Sequence, residues 1–203
     1  MLARADEPWT FETYMAWEAE QDEKWEFVDG RPVRRSERWW KDPVTGMAGA
    51  RLRHNRISAN IIRHLGNRLA GGQCFPLPSD QLVRSSTGSG RYPDVTVDCG
   101  TSTSDSVLAN EPRVLFEVLS PSNTVRQQMR LVADYQAMAS VQQVIFIEQD
   151  KVGALIWTRD ADGWRAAEVD GLDVVLSLPS LGVELPLAEV YEGLTFDPAP
   201  TDA

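Results

Sequence analysis

Two acidic residues of this chain stand where an acid is costly. Asp94, in Arg91-Tyr92-Pro93-Asp94, opens the stretch Val95-Thr96-Val97, and 23 residues later Glu117 lies inside Val114-Leu115-Phe116-Glu117-Val118-Leu119. Both settings read as buried strands, where an ionised carboxylate is strongly disfavoured unless a cation or hydrogen-bond donors answer it. Taken singly, each acid reads as the partner of an arginine or the cap of a turn. As a pair on neighbouring strands they converge most naturally on a divalent metal. Mg²⁺ takes one or two carboxylates plus waters and phosphate oxygens, which is the chemistry of phosphodiester cleavage.

The elements that must position these acids are readable in outline. Trp9–Glu20 reads as a short amphipathic helix with Thr10 as its N-cap, and Lys24–Arg35 alternates about Asp29-Gly30 as a hairpin does. Ser36–Ala50 has no periodicity and contains Pro43, Gly46 and Gly49, so it reads as a long loop. Arg51–Leu69 is the clearest helix, ended by Gly71-Gly72. With His54 as origin and about 100° per residue, Ile57, Ile61 and Leu65 fall within about 60° of it, and His64 lies about 80° away. His54 is therefore at the centre of the apolar face, as a core histidine or as part of a site. Strands are expected at Gln81–Arg84, Asp94–Asp98 and Val114–Ser120, with a Ser/Thr-rich loop from Gly100 to Pro112. A helix capped by Asn123 or Thr124 then runs to Ala139. Val144–Ile147 suits a strand buried on both faces. Ala154–Thr158, Trp164–Val169 and Val174–Leu178 read as an antiparallel meander, closed by a short helix at Leu187–Tyr191 and a loose tail at Asp197–Ala203.

Trp25-Glu26-Phe27-Val28-Asp29-Gly30, the helix opening at His54, Arg91-Tyr92-Pro93-Asp94-Val95, Glu117-Val118-Leu119-Ser120-Pro121-Ser122 and a helix ending in Tyr135 follow one another in an order that resembles the bacterial Uma family. Its members are restriction-endonuclease-like proteins of the PD-(D/E)XK nuclease superfamily. The resemblance runs from about Trp9 to Leu194. It implies a mixed α/β fold, a central mixed sheet flanked by helices with an antiparallel C-terminal meander, and a Mg²⁺- or Mn²⁺-dependent endonuclease. Carried over residue by residue, Asp94 and Glu117 match the metal ligands, with the Val118 carbonyl as a third, and Glu26 and His54 match residues near the metal. The superfamily also uses a lysine to position and polarise the attacking water, and here the chain departs. Two residues beyond Glu117 stands Leu119, as is normal for the Uma family, whose lysine moves to the following helix. There an acid, then the lysine, then a tyrosine are spaced four apart. Tyr135 is in register, but the lysine position is Leu131 and the acid position Gln127. The chain has only Lys24, Lys41 and Lys151. Arg130, one residue from the expected place, reads either as a partial substitute, unable to shuttle a proton, or as an ordinary surface partner of Asp134. Lys24, on the same strand face as Glu26, is a remoter donor.

Composition sets the frame. The 203 residues, 42% apolar, suit one domain spanning 1–203 with its core at about 9–194. No run of eighteen apolar residues exists and the N-terminus lacks a signal-peptide core, so no membrane span is expected. Cys74 and Cys99 alone make no disulfide framework, and a reduced, cytoplasmic chain with free thiols is expected. The net charge of −10 argues against a general nucleic-acid binder, but its distribution is uneven. Arg31–Arg68 carries ten Lys/Arg against Glu37 and Asp42, which leaves −18 for the rest. That basic region, with Trp39 and Trp40 interleaved, reads as a DNA-facing surface or as the counter-charge of the acidic remainder, within the fold or across a homodimer contact. Gly88-Ser89-Gly90 lacks the spacing of a phosphate loop, no paired Cys/His metal motif exists, and no nucleophile elbow accompanies either histidine. Three readings follow: a metal-dependent nuclease, a catalytically degenerate relative that binds nucleic acid or protein, and a homodimer of structural purpose.

Overall fold

A computed structural model describes residues 8–35, 52–101, 103–120 and 124–196. The expected loop at 36–50, with Trp39 and Trp40, and the tail at 197–203 lie outside the described residues.

The Thr10 hydroxyl accepts the Thr13 N–H, and the Thr13 hydroxyl oxygen accepts the Thr10 N–H in return. This capping box starts α1 (Phe11–Glu18) where the sequence predicts. β1 (Trp25–Val28) and β2 (Arg31–Arg34) turn on Asp29 and Gly30, both at positive φ, as a two-residue hairpin requires. α2 (Leu52–Leu69) buries His54, Ile57, Ile61 and Leu65, the face its periodicity picks out. There follow β3 (Phe75–Pro78), β4 (Val83–Arg84), β5 (Gly90–Arg91), β6 (Val95–Asp98) and β7 (Pro112–Leu119). α3 (Val125–Gln136) is capped by Thr124 and links β7 to β8 (Gln143–Glu148), which run parallel. β9 (Gly153–Asp160), β10 (Gly163–Asp170), β11 (Val175–Leu178), β12 (Val183–Pro186) and α4 (Leu187–Val190) complete the described chain.

The centre is a mixed six-stranded sheet in the order β10-β9-β8-β7-β6-β3. Its middle strands are covered on both sides, which explains their unbroken apolar runs. Val114, Phe116 and Val118 of β7, with Ile145 and Ile147 of β8, pack with Ile57, Ile61 and Leu65 of α2. Leu115, Leu119, Val144 and Phe146 point the other way and pack with Leu131, Val132 and Tyr135 of α3. A second, antiparallel sheet, β2-β1-β5-β4, joins α1 around Phe11, Tyr14, Phe27, Leu82 and Tyr92.

Three departures from the sequence reading have clear causes. β3 was not anticipated, because Pro76 and Pro78 remove ladder donors; it survives as the sheet's outermost strand, where they are tolerated. Of the expected meander only β9 and β10 join the main sheet; β11 pairs instead with β12 in a two-stranded ribbon closed through Pro179–Gly182. The expectation of free thiols is also corrected. Cys74 and Cys99 flank the paired ends of β3 and β6, where Phe75 faces Asp98, and they are joined as a disulfide with Cα atoms 4.0 Å apart.

Candidate functional site

Asp94 immediately precedes β6, whose antiparallel register sets Val95 against Phe116 of β7. Asp94 itself lies in the bend before the strand and Glu117 follows Phe116 on β7, so two buried carboxylates stand at the same end of the β6–β7 pair. Each is held by a donor from elsewhere. The Val118 N–H donates to Asp94 Oδ2 at 2.8 Å, and His54 of α2 brings Nε2 to 3.2 Å from that oxygen. Glu117 lies between Leu115 and Leu119 on the face turned to α3, and there the Tyr135 hydroxyl donates to its Oε1. Burial works to lower the His54 pKa, but the Asp94 carboxylate beside it, reinforced by the charge of Glu117, outweighs burial and the net shift is upward.

Glu26, on β1, is a third buried carboxylate. Phe27 faces Gly90 across the β1–β5 pair, so the register next sets Glu26 against Arg91. The Arg91 guanidinium donates to Glu26 Oε2 at 2.9 Å and, through Nε at 2.8 Å, to Asp134 Oδ2 of α3; a second nitrogen also reaches Asp134. All three side chains are buried or nearly so.

Of the residues the sequence singled out, Asp94, Glu117 and His54 come together, while Glu26 is held by Arg91, which also reaches Asp134, the neighbour of Tyr135. Arg130 does not join them. It is half-exposed and pairs with Asp29 at the β1–β2 turn, and Asp134, its expected partner, is taken by Arg91. Lys24 is likewise engaged elsewhere, with Asp80 at 2.6 Å. Leu131 is buried in the apolar cluster between α3 and the sheet. Gln127, at the acid position, serves as the capping-box partner of Thr124, whose N–H it accepts at 2.8 Å. Sequence reasoning gave no role to Arg91 and saw Asp134 only as a surface partner of Arg130. Arg91 stands inside the quoted motif, but its partners are 65 and 43 residues away, and only the pairing of β1 with β5 and the placement of α3 reveal them.

The basic region is largely engaged within the fold. Arg34 pairs with Glu23, Arg63 with Glu192, and Arg68 with Glu189, while Arg35 and Arg53 donate to the Ser79 and Thr195 carbonyls. Arg38, Lys41 and Arg51 lie outside the described residues. No described helix is long and apolar enough to cross a membrane.

Comparison with known proteins identifies relatives of the chain. The family model Uma2, described as "Putative restriction endonuclease", matches residues 11–188. The chain is also similar to the protein slr1290 of Synechocystis sp., described only as uncharacterized; the two are 27% identical over 188 residues, 91% of this chain and 92% of the relative. With a family match running from α1 into α4 and spanning both acids, the chain belongs to the Uma2 family of restriction-endonuclease-like proteins.

Proposed function

We propose that this protein is a divalent-metal-dependent nuclease that hydrolyses DNA phosphodiester bonds, with Asp94 and Glu117 as the metal ligands. One observation carries the reading: two buried carboxylates lie at the same end of the β6–β7 pair, each oriented by a donor from a different element. Among the described residues no three His, Cys, Asp or Glu side chains group as a metal site. Two carboxylates fit Mg²⁺ or Mn²⁺ nonetheless, because Mg²⁺ keeps several waters and needs only one or two protein acids. When bound, the ion supplies Lewis-acid polarisation of the phosphate and activation of a water. The chain's own residues do the rest. Val118 and His54 fix Asp94, and Tyr135 fixes Glu117.

The buried Leu131 leaves the lysine's task unfilled at that position. Loss of one such electrostatic group costs about 10²–10³ in rate, so slow activity is expected. A plasmid-nicking time course with Mn²⁺ tests the reading, with Asp94→Asn as the control for contaminating nucleases. Metal-dependent nicking by the native chain and none by the variant supports it; equal rates in both overturn it. The second reading, a non-catalytic binding module of the same fold, is favoured by Leu131 and by Arg130 turning to Asp29. No metal-dependent cleavage by either the native chain or Leu131→Lys would put it ahead. Under either reading we propose DNA as the ligand of the 31–68 region and a homodimer as the working form. Salt-dependent DNA binding and sedimentation of the native chain test these two points.

A further inference from the structure

Among the described residues Arg91 is the one buried Lys or Arg side chain. Its guanidinium donates in two directions, to Glu26 of β1 and to Asp134 of α3, and so ties three elements together: β1, β5 and α3. The neighbours of these contacts are what make the site. Tyr135, which follows Asp134 on α3, donates to Glu117, and Asp94 lies three residues after Arg91. Gly90 makes the arrangement feasible, since a Cβ there would come within 2.9 Å of the Phe11 ring of α1 and disturb its packing over β5.

We propose that Arg91 is a positioning residue for the two carboxylates. By holding Asp134 it fixes the rotation of α3 over the sheet, so that the Tyr135 hydroxyl meets Glu117. By holding Glu26 it fixes the segment that delivers Asp94. The fork geometry matters as well as the charge: a guanidinium can satisfy two carboxylates from separate elements, whereas an ammonium is a point charge without that pre-set angle. The metal arm of the test rests on the nuclease reading; the other arm does not.

Arg91→Lys keeps the charge and loses the fork. Asp134→Asn removes the charge at the helix end of the clamp, and Asp134→Glu keeps that charge but displaces it by one methylene. The first measurement is the proton NMR signal of the buried Tyr135 hydroxyl, identified by its loss in Tyr135→Phe. The second is Mn²⁺ affinity by calorimetry. In folded variants, judged by far-ultraviolet circular dichroism, the hydroxyl signal should shift or vanish into solvent exchange, and Mn²⁺ affinity should fall about 10–100-fold, as when an outer partner of a ligand is removed. A clamp that only stabilises the fold would lower the melting temperature and leave both readings unchanged in the folded variant. A hydroxyl signal absent from the native spectrum, or unshifted in whichever variants fold, overturns the proposal. If the native chain does not bind Mn²⁺, the nuclease reading falls while the hydroxyl signal still decides the clamp.

Discussion

Glu117 stands between two leucines with its head group against the Tyr135 hydroxyl, a contact that helps to orient its charge. Removing the hydroxyl by Tyr135→Phe leaves a buried acceptor short of a donor, a loss of about 1–3 kcal/mol. Urea unfolding should show it, and the Mn²⁺-induced rise in melting temperature should shrink, since a ligand stabilises only as far as it binds the native state. Leu131→Lys should act in opposite directions on two readouts. An ammonium in an apolar cluster lowers stability, while its approach to the acids raises the nicking rate above that of the native chain. At this scale much was legible. Asp94, Glu117 and His54 betray themselves through local sequence, because an acid among apolar neighbours or a histidine in phase with Ile57 and Ile61 is visible without a fold. Arg91 was not, since nothing local separates a buried arginine from the exposed ones. Its role exists only once β1 pairs with β5.

Among the elements, the helices were read correctly because their ends carry their own chemistry. Thr10 with Thr13, and Thr124 with Gln127, are complete capping boxes. The strands were harder. β5 is two residues long and owes its place to Gly90, which lies against Phe27 and Phe11 without a side chain to hold them off. Gly90→Ala should therefore cost about 1–3 kcal/mol through overpacking, visible as a lowered melting temperature. The same change at Gly30 has open space around it and meets only the strain of a positive φ, so its effect is confined to the hairpin. β3 and β12 escaped prediction for a common reason: each ends in or contains proline, and local propensity cannot see the partner strand that makes an edge position acceptable.

Across the molecule, the charge imbalance read from composition is partly resolved between two helices. Arg63, His64 and Arg68 on α2 face Glu189 of α4 and Glu192 just beyond it. The hydrogen bond from Arg68 holds the Glu189 carboxyl below its usual range, and that of His64, followed by Arg63, does the same for Glu192. A depressed folded-state pKa stabilises the fold fully above the ordinary carboxylate pKa, and that stability is lost as pH falls through the folded value. Urea midpoints should accordingly drop on acidification, and the double variant Glu189→Gln/Glu192→Gln should show a flatter acid dependence and a weaker midpoint at neutral pH. The disulfide has its own signature. Closing a loop with a sequence separation of 25 stabilises by about 3 kcal/mol in the chain-entropy description, so dithiothreitol should lower the melting temperature of the native chain but not of Cys74→Ala/Cys99→Ala.

The bond between Cys74 and Cys99 also changes how the chain is connected when it is cut. The segment it closes holds β3 to β6 and with them Arg91 and Asp94, while Glu26, His54 and Glu117 lie outside it. The exposed tip at Ser86-Thr87, between β4 and β5, is the natural place for a protease to enter. A single cut there leaves one covalent molecule under oxidising conditions and two fragments once the bond is reduced. Asp94 and Glu117 then travel together on the C-terminal fragment, and His54 and Glu26 on the other.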